Sequence, residues 1–218
     1  MQVYKDDDLI IERFEVGIYM VNTYIVGCLK TQEAAIVDPG DESDRILKRC
    51  EELDLTVKYI LNTHGHVDHI QDNEHIKNRT NAQIVIHEKD AGMLTSPRSN
   101  ISAFIGEPKT SPPADLMFQA GVTFNVGEVA FDILHIPGHS PGSICLIHDP
   151  VAIVGDVLFC GSIGRTDFPD GSYEQLTNGI REKLLPLGDH FIAFPGHGPE
   201  TTLGQERRTN PFINDALF

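Results

Sequence analysis

The stretch Lys58 to His69, K-Y-I-L-N-T-H-G-H-V-D-H, limits what this chain can fold into more than any other, because an apolar run ends in three histidines and an aspartate. Val57, Tyr59, Ile60 and Leu61 read as a short buried strand, so His64, His66, Asp68 and His69 fall on the loop leaving its carboxyl end. Open α/β sheets place their sites at such strand ends. His64 and His66 can reach one centre from an extended loop, while Asp68 and His69 lie further on and can reach another. Gly65 lets the backbone turn without a side chain in the way. The plain alternative is a polar loop in a chain with 10 histidines.

The residues before this stretch predict strands and one helix. Leu9 to Val16, Asn22 to Cys28 and Ala34 to Val37 alternate apolar and polar residues as half-buried strands do, which suggests a meander. The third strand ends in Asp38-Pro39-Gly40, where Asp38 is either a turn former or an acceptor lying beneath the histidine loop. Asp41 to Leu53 carries Ile46, Leu47, Cys50 and Leu53 on one face behind an acidic first turn, an amphipathic helix. After the histidines, Asp72 to Arg79 reads as a helix, Gln83 to Ile86 as a strand and Glu88 to Leu94 as a short helix. Strands thus alternate with helices through the first half.

Thr95 to Asp115 breaks that rhythm with Pro97, Pro108, Pro112 and Pro113, and holds Ile101, Phe104 and Ile105 in its middle. Loops this long are uncommon unless functional or disordered. The functional reading is a lid; the plainer one is a segment draping its apolar residues over the core. Val129 to Ile136 then alternates as a strand and runs into Pro137-Gly138-His139-Ser140-Pro141-Gly142, which presents His139 stiffly. Ser143 to Ile147 and Ala152 to Val154 follow as strands, the latter ending in Gly155-Asp156. Phe191 to Phe194 leads into Pro195-Gly196-His197-Gly198, the same Pro-Gly-His phrase. His75, His87, His135, His148 and His190 lie outside these phrases and read as structural or solvent-facing.

Charge and cysteine usage exclude some functions. A formal net charge of -15 argues against nucleic acid, whose affinity rests on clustered Lys and Arg. No run of 18 apolar residues exists, and Met1 to Asp8 carries consecutive aspartates where an export signal would be basic and then apolar. The expectation is a soluble cytoplasmic protein with no membrane partner. Cys28, Cys50, Cys145 and Cys160 are scattered without CxxC pairing, so buried reduced thiols are expected.

T-H-G-H-V-D-H at 63 to 69, His139 in P-G-H-S-P-G, Asp156 and His197 together resemble the metallo-β-lactamase superfamily, over nearly the whole chain. The resemblance implies an α/β fold, an αββα sandwich of two mixed β-sheets flanked by helices. It implies one metal site from His64, His66 and His139, a second from Asp68, His69 and His197, and Asp156 bridging the two. Within the superfamily the chain is most similar to glyoxalase II-like hydrolases. Gly161 to Phe168, and Gly196 to Phe212 with Glu206-Arg207-Arg208-Thr209-Asn210-Pro211-Phe212, look like the short bacterial members. The expected organisation is one domain over 1–218, without the carboxy-terminal helical domain through which full-length glyoxalase II contacts glutathione. Arg165 stands where the family has a basic residue that holds substrate, and Asp167 stands where it has an aromatic one.

The chemistry that follows is metal-dependent hydrolysis. Imidazole and carboxylate donors without thiolate suit zinc, iron or manganese, so two divalent metal ions are expected, zinc by default. Two such ions share a hydroxide formed near neutral pH, which is the expected nucleophile. They also polarise the substrate carbonyl and hold the oxyanion. Asp68 has a second possible duty, orienting that hydroxide or taking its proton. A small-molecule thioester resembling S-lactoylglutathione suits a site without a strong general acid, since thiols ionise near pH 8.5. The alternative is a mononuclear iron persulfide dioxygenase of the same fold.

Overall fold

A computed structural model describes residues 1–119 and 121–214. The first sheet opens with β1 (Gln2–Lys5), β2 (Leu9–Val16), β3 (Val21–Cys28) and β4 (Glu33–Val37), an antiparallel meander as the alternation predicts. Helix α1 (Ser43–Glu52) then carries the chain to β5 (Thr56–Leu61), which pairs parallel to β4. Two short helices, α2 (Val67–Ile70) and α3 (Asn73–Thr80), precede β6 (Gln83–His87), and α4 (Ala91–Leu94) and α5 (Ser102–Ile105) precede β7 (Leu116–Phe118). These seven strands lie in sequence order, with β5, β6 and β7 mutually parallel.

The second sheet is built from β8 (Thr123–Val126), β9 (Val129–His135), β10 (Ile144–His148) and β11 (Val151–Gly155), all antiparallel. A small hairpin, β12 (Leu158–Phe159) and β13 (Ser162–Ile163), follows it. Helix α6 (Tyr173–Gly179) continues through a π turn and a 3₁₀ turn to Leu187 before β14 (Ile192–Pro195) joins parallel to β11. The edge strand β15 (Thr201–Thr202) and helix α7 (Leu203–Thr209) close the described chain. The sheet order β15-β14-β11-β10-β9-β8 and the helices outside both sheets make the αββα sandwich.

Burial explains the layering. Leu9, Ile11, Tyr24, Val26 and Val85 of the first sheet meet Phe131, Ile133, Leu146 and Phe194 of the second. Ile10, Ile25, Ile36 and Ile60 point the other way, onto Ile46 and Leu47 of α1 and Ile76 of α3. On the far side, Cys145, Val154 and Ala193 pack beneath Leu176, Ile180 and Leu203. A strand covered on both faces loses its alternation, which is why all eight positions of β3 are buried.

Several local readings are corrected. The first helix begins at Ser43 rather than Asp41, because Glu42 adopts a left-handed conformation (φ 57) that cannot continue a helix backward. The His64–His69 segment is not extended throughout: His66 precedes the single turn of α2, so Asp68 and His69 sit on a helical turn. The helix expected over Glu88–Leu94 is confined to Ala91–Leu94. Residues 95–115 do not drape their apolar side chains over the core, since Phe104 and Ile105 are 69% and 45% exposed. Cys28, Cys50 and Cys145 are buried free thiols as expected, but Cys160 is exposed.

Candidate metal centre

The carboxyl ends of β4, β5, β9, β11 and β14 deliver Asp38, the His64–His69 segment, His139, Asp156 and His197 to one place. The two sheets contribute in turn, and direct bonds lace them together. Ile144 N donates to Thr63 O at 3.0 Å, and Asn22 N donates to Gly196 O at 2.7 Å. Asn22 Nδ2 and Tyr24 Oη of β3 both donate to Pro195 O.

In the first cluster, His139 Nε2 lies 3.2 Å from His64 Nε2 and 2.9 Å from His66 Nδ1. The hydrogen-bond partners of the opposite ring nitrogens assign the tautomers. His139 Nδ1 donates to Arg165 O at 2.8 Å, so its Nε2 carries a lone pair. Thr63 Oγ1 gives its hydrogen to Asp38 Oδ2 and is left to accept from His64 Nδ1 at 3.2 Å, which frees His64 Nε2 likewise. Lone pairs converge here where hydrogen bonds would need donors.

The second cluster is built the same way. His69 Nδ1 donates to Asp38 Oδ2 at 3.0 Å and His197 Nδ1 to Tyr19 O at 3.1 Å. Their Nε2 atoms lie 3.6 and 3.3 Å from Asp68 Oδ2. Asp156 reaches both clusters: Oδ2 is 3.4 Å from His139 Nε2 and 3.7 Å from His197 Nε2, and Oδ1 is 3.5 Å from His69 Nε2. Asp38, His64 and His69 also approach one another, but Asp38 already accepts from Thr63 N, Thr63 Oγ1 and His69 Nδ1. Asp38 therefore braces the histidines from beneath, and it is a turn residue as well, at φ 51.

Burial and the neighbouring imidazoles hold His64 and His66 well below the ordinary histidine range, so both are neutral, as ligands must be. Burial opposes a charge on His69 too, yet the carboxylates of Asp68, Asp156 and Asp38 overcome it and push its pKa up to about 10. Burial likewise opposes ionisation of Asp68, but the charge on His69 and the hydrogen bond from His197 hold its carboxyl below the usual range. His69 Nε2 and Asp156 Oδ1 are buried with no hydrogen-bond partner. A cation between them satisfies both atoms and takes the place of the proton on His69. The donor set thus fits one or two divalent ions, and its chemistry does not distinguish zinc from iron or manganese.

Above the clusters opens a cleft of about 420 Å³, with Tyr19, Phe159, Ile163 and Arg165 on its walls. It adjoins a second hollow of about 440 Å³, walled by Met93, Ile101, Phe104, Ile105 and Phe168, with Arg98 on its lining. Residues 95–115 thus form part of the wall over the site. Arg165 is 63% exposed at its side chain, lies 4.3 Å over the Phe168 ring and makes a two-pronged bond to Asp167. The tail phrase serves the cleft indirectly: buried Glu206 accepts from Gly161 N, and Asn210 Nδ2 donates to Ser162 O, fixing the β12–β13 hairpin.

All the predicted ligand residues come together, and Arg165 lies on the cleft wall. Sequence reasoning missed Phe168, which packs 4.8 Å from His66, and left residues 95–115 open between a lid and a cover for the core; Ile101, Phe104 and Ile105 line the hollow beside the site. It also missed Asp90, fully buried beside both histidine loops. The apolar residues were visible in the sequence, but no periodicity distinguished a cleft wall from a core.

A sequence model described as the metallo-beta-lactamase superfamily matches residues 16–197. The hydroxyacylglutathione hydrolase GloC of Haemophilus influenzae is 46% identical over 194 residues, which cover 84% of this chain and 88% of that protein. Among solved structures, the BLEG-1 B3 metallo-beta-lactamase superposes with a TM-score of 0.89 at 35% identity, covering 94% of this chain and 99% of the other. ETHE1 from Myxococcus xanthus superposes with a TM-score of 0.79 at 29% identity, covering 92% and 83%.

Proposed function

The chain belongs to the metallo-beta-lactamase superfamily, and from that premise we propose that it is a metal-dependent hydrolase of small thioesters of the S-lactoylglutathione kind. One observation carries the reading: two three-residue donor clusters meet at Asp156, in a cleft whose lining, among the described residues, offers no carboxylate and no histidine beyond these. Divalent cations held there supply Lewis acidity and an ionised water near neutral pH. Zinc is the default, with iron or manganese alternatives.

The chain's own groups do the rest. Asp68 Oδ2 is kept ionised and faces the cleft, where it orients the attacking water. His64 and His66 are kept neutral, and His64 and His139 are fixed by the bonds at their opposite nitrogens. Arg165 binds an anionic group of the substrate by exchanging its bond to Asp167, and Met93, Phe104, Ile105 and Phe168 hold the apolar part and exclude water. A thiolate leaves without a strong general acid, which fits a lining that has none to give. The identity to the Haemophilus influenzae hydroxyacylglutathione hydrolase supports the same substrate class.

A second reading, a persulfide dioxygenase with one iron, draws support from the likeness to Myxococcus xanthus ETHE1 and from a donor set that accepts iron. The test is one preparation assayed with S-lactoylglutathione under nitrogen, and with glutathione persulfide and with a β-lactam in aerated buffer. Release of free thiol without oxygen supports the proposal. Oxygen uptake with persulfide and no thioester cleavage, or turnover of the β-lactam alone, contradicts it.

A further inference from the structure

Asp90 lies just before α4, between the two halves of the molecule, and its side chain touches none of the donor atoms. Its residue is fully buried. Oδ2 accepts from Gly65 N at 3.1 Å and from Ser140 Oγ at 2.6 Å, and Oδ1 accepts from Gly142 N at 2.6 Å. Gly65 separates His64 from His66, and Ser140 and Gly142 follow His139. One carboxylate therefore grips the loop from the first sheet and the loop from the second that together present the first cluster.

The glycines mark how closely these parts approach. A Cβ on Gly142 would stand 2.6 Å from Asp90 Cγ, and one on Gly65 would stand 2.6 Å from Met93 Cβ. The Gly of His-Gly-His and the second Gly of the Pro-Gly-His-Ser-Pro-Gly phrase are thus required by contact with the Asp90 turn. Ser140 Oγ is 2.7 Å from Ser143 Oγ, and Ser143 Oγ accepts from Ser140 N, so the second loop is braced around the same carboxylate. The second cluster has different supports, Asp38 and Tyr19 O, and none of its residues bonds to Asp90.

We propose that Asp90 is a positioning residue for the His64, His66 and His139 site alone, clipping its two loops into the geometry that one cation requires. This rests on the metal reading of the centre but not on any substrate. Groups that orient metal ligands typically change affinity 10–100-fold when removed. Loss of Asp90 should therefore weaken one ion and spare the other.

The experiment is zinc(II) titration of the metal-free full chain against a chromophoric chelator, in two backgrounds. With His197→Ala, which leaves the first cluster intact, Asp90→Asn is expected to weaken zinc about 10–100-fold. With His66→Ala, which leaves the second cluster, the same substitution is expected to change affinity less than about twofold. Ser140→Ala, which removes one of the three donors, should give a smaller loss confined to the first background; it also decides the matter if Asp90→Asn does not fold. Equal losses in both backgrounds would assign Asp90 a general structural role and overturn the proposal, as would no loss in either. Wild-type protein that took up no zinc, iron or manganese would overturn the metal reading itself, a result distinct from both.

Discussion

At the scale of residues, the centre works because His64, His69, His139 and His197 each have one nitrogen occupied by a fixed partner and the other left for a cation. His64→Ala and Asp156→Ala should each abolish turnover and lower bound metal, with elemental analysis and thiol release as the checks; full rate with unchanged metal in Asp156→Ala would overturn its place between the clusters. Arg165→Ala should raise KM for an anionic thioester about tenfold, a loss of about 1.4 kcal/mol, and leave kcat within about twofold. Initial rates over a range of substrate concentration decide it. The donors were legible in the sequence because His and Asp crowd there only for a chemical reason. Their braces were not: Asp38 read equally well as a turn former, and Asp90 fell inside the short helix expected over Glu88 to Leu94. A buried acceptor with three donors from distant loops leaves no local pattern.

At the scale of elements, strands were the most legible because they are long: Val129–His135 alternates through most of its length, and Leu9–Val16 opens on three apolar residues. Short pieces such as α2 and β7 were not, since three or four residues carry too little periodicity to separate helix from strand. Phe104 and Ile105 show the harder limit: an apolar residue that walls a cleft has the same composition as one that fills a core. Phe104→Ser should leave stability within about 0.5 kcal/mol, because the side chain is already in water, yet raise KM several-fold for thioesters with an apolar chain and hardly at all for small acyl groups. Equal effects on both would contradict its place in the wall. Between β2 and α1, buried Glu12 accepts twice from Arg49 at 2.8 Å, and those bonds hold its carboxyl below the usual range. A folded value below the unfolded one means the pair stabilises above the ordinary glutamate pKa near 4.3, and that the contribution is lost as pH falls through the folded value. Glu12→Gln should therefore cost about 1–3 kcal/mol at pH 7, and the gap in melting temperature should close below about pH 4.

At the scale of the whole molecule, two sheets meet across an apolar layer and present their strand ends along one rim. That arrangement was legible from the resemblance and from the strand order, whereas the exposure of individual walls depended on packing between segments far apart in sequence. Phe131→Ala, at the centre of the layer, should cost about 3–5 kcal/mol in denaturant unfolding. A cation bound at 100 times its dissociation constant adds about 2.7 kcal/mol to the folded state, so chelation should lower the melting temperature by about 5–10 °C at this chain length. The most direct measurement of the central claim is elemental analysis of the purified chain, with S-lactoylglutathione hydrolysis assayed under nitrogen on the same sample. Two divalent ions per chain with oxygen-independent thiol release is the predicted result. One iron per chain, no hydrolysis, and oxygen uptake when glutathione persulfide is added to an aerated aliquot would contradict it.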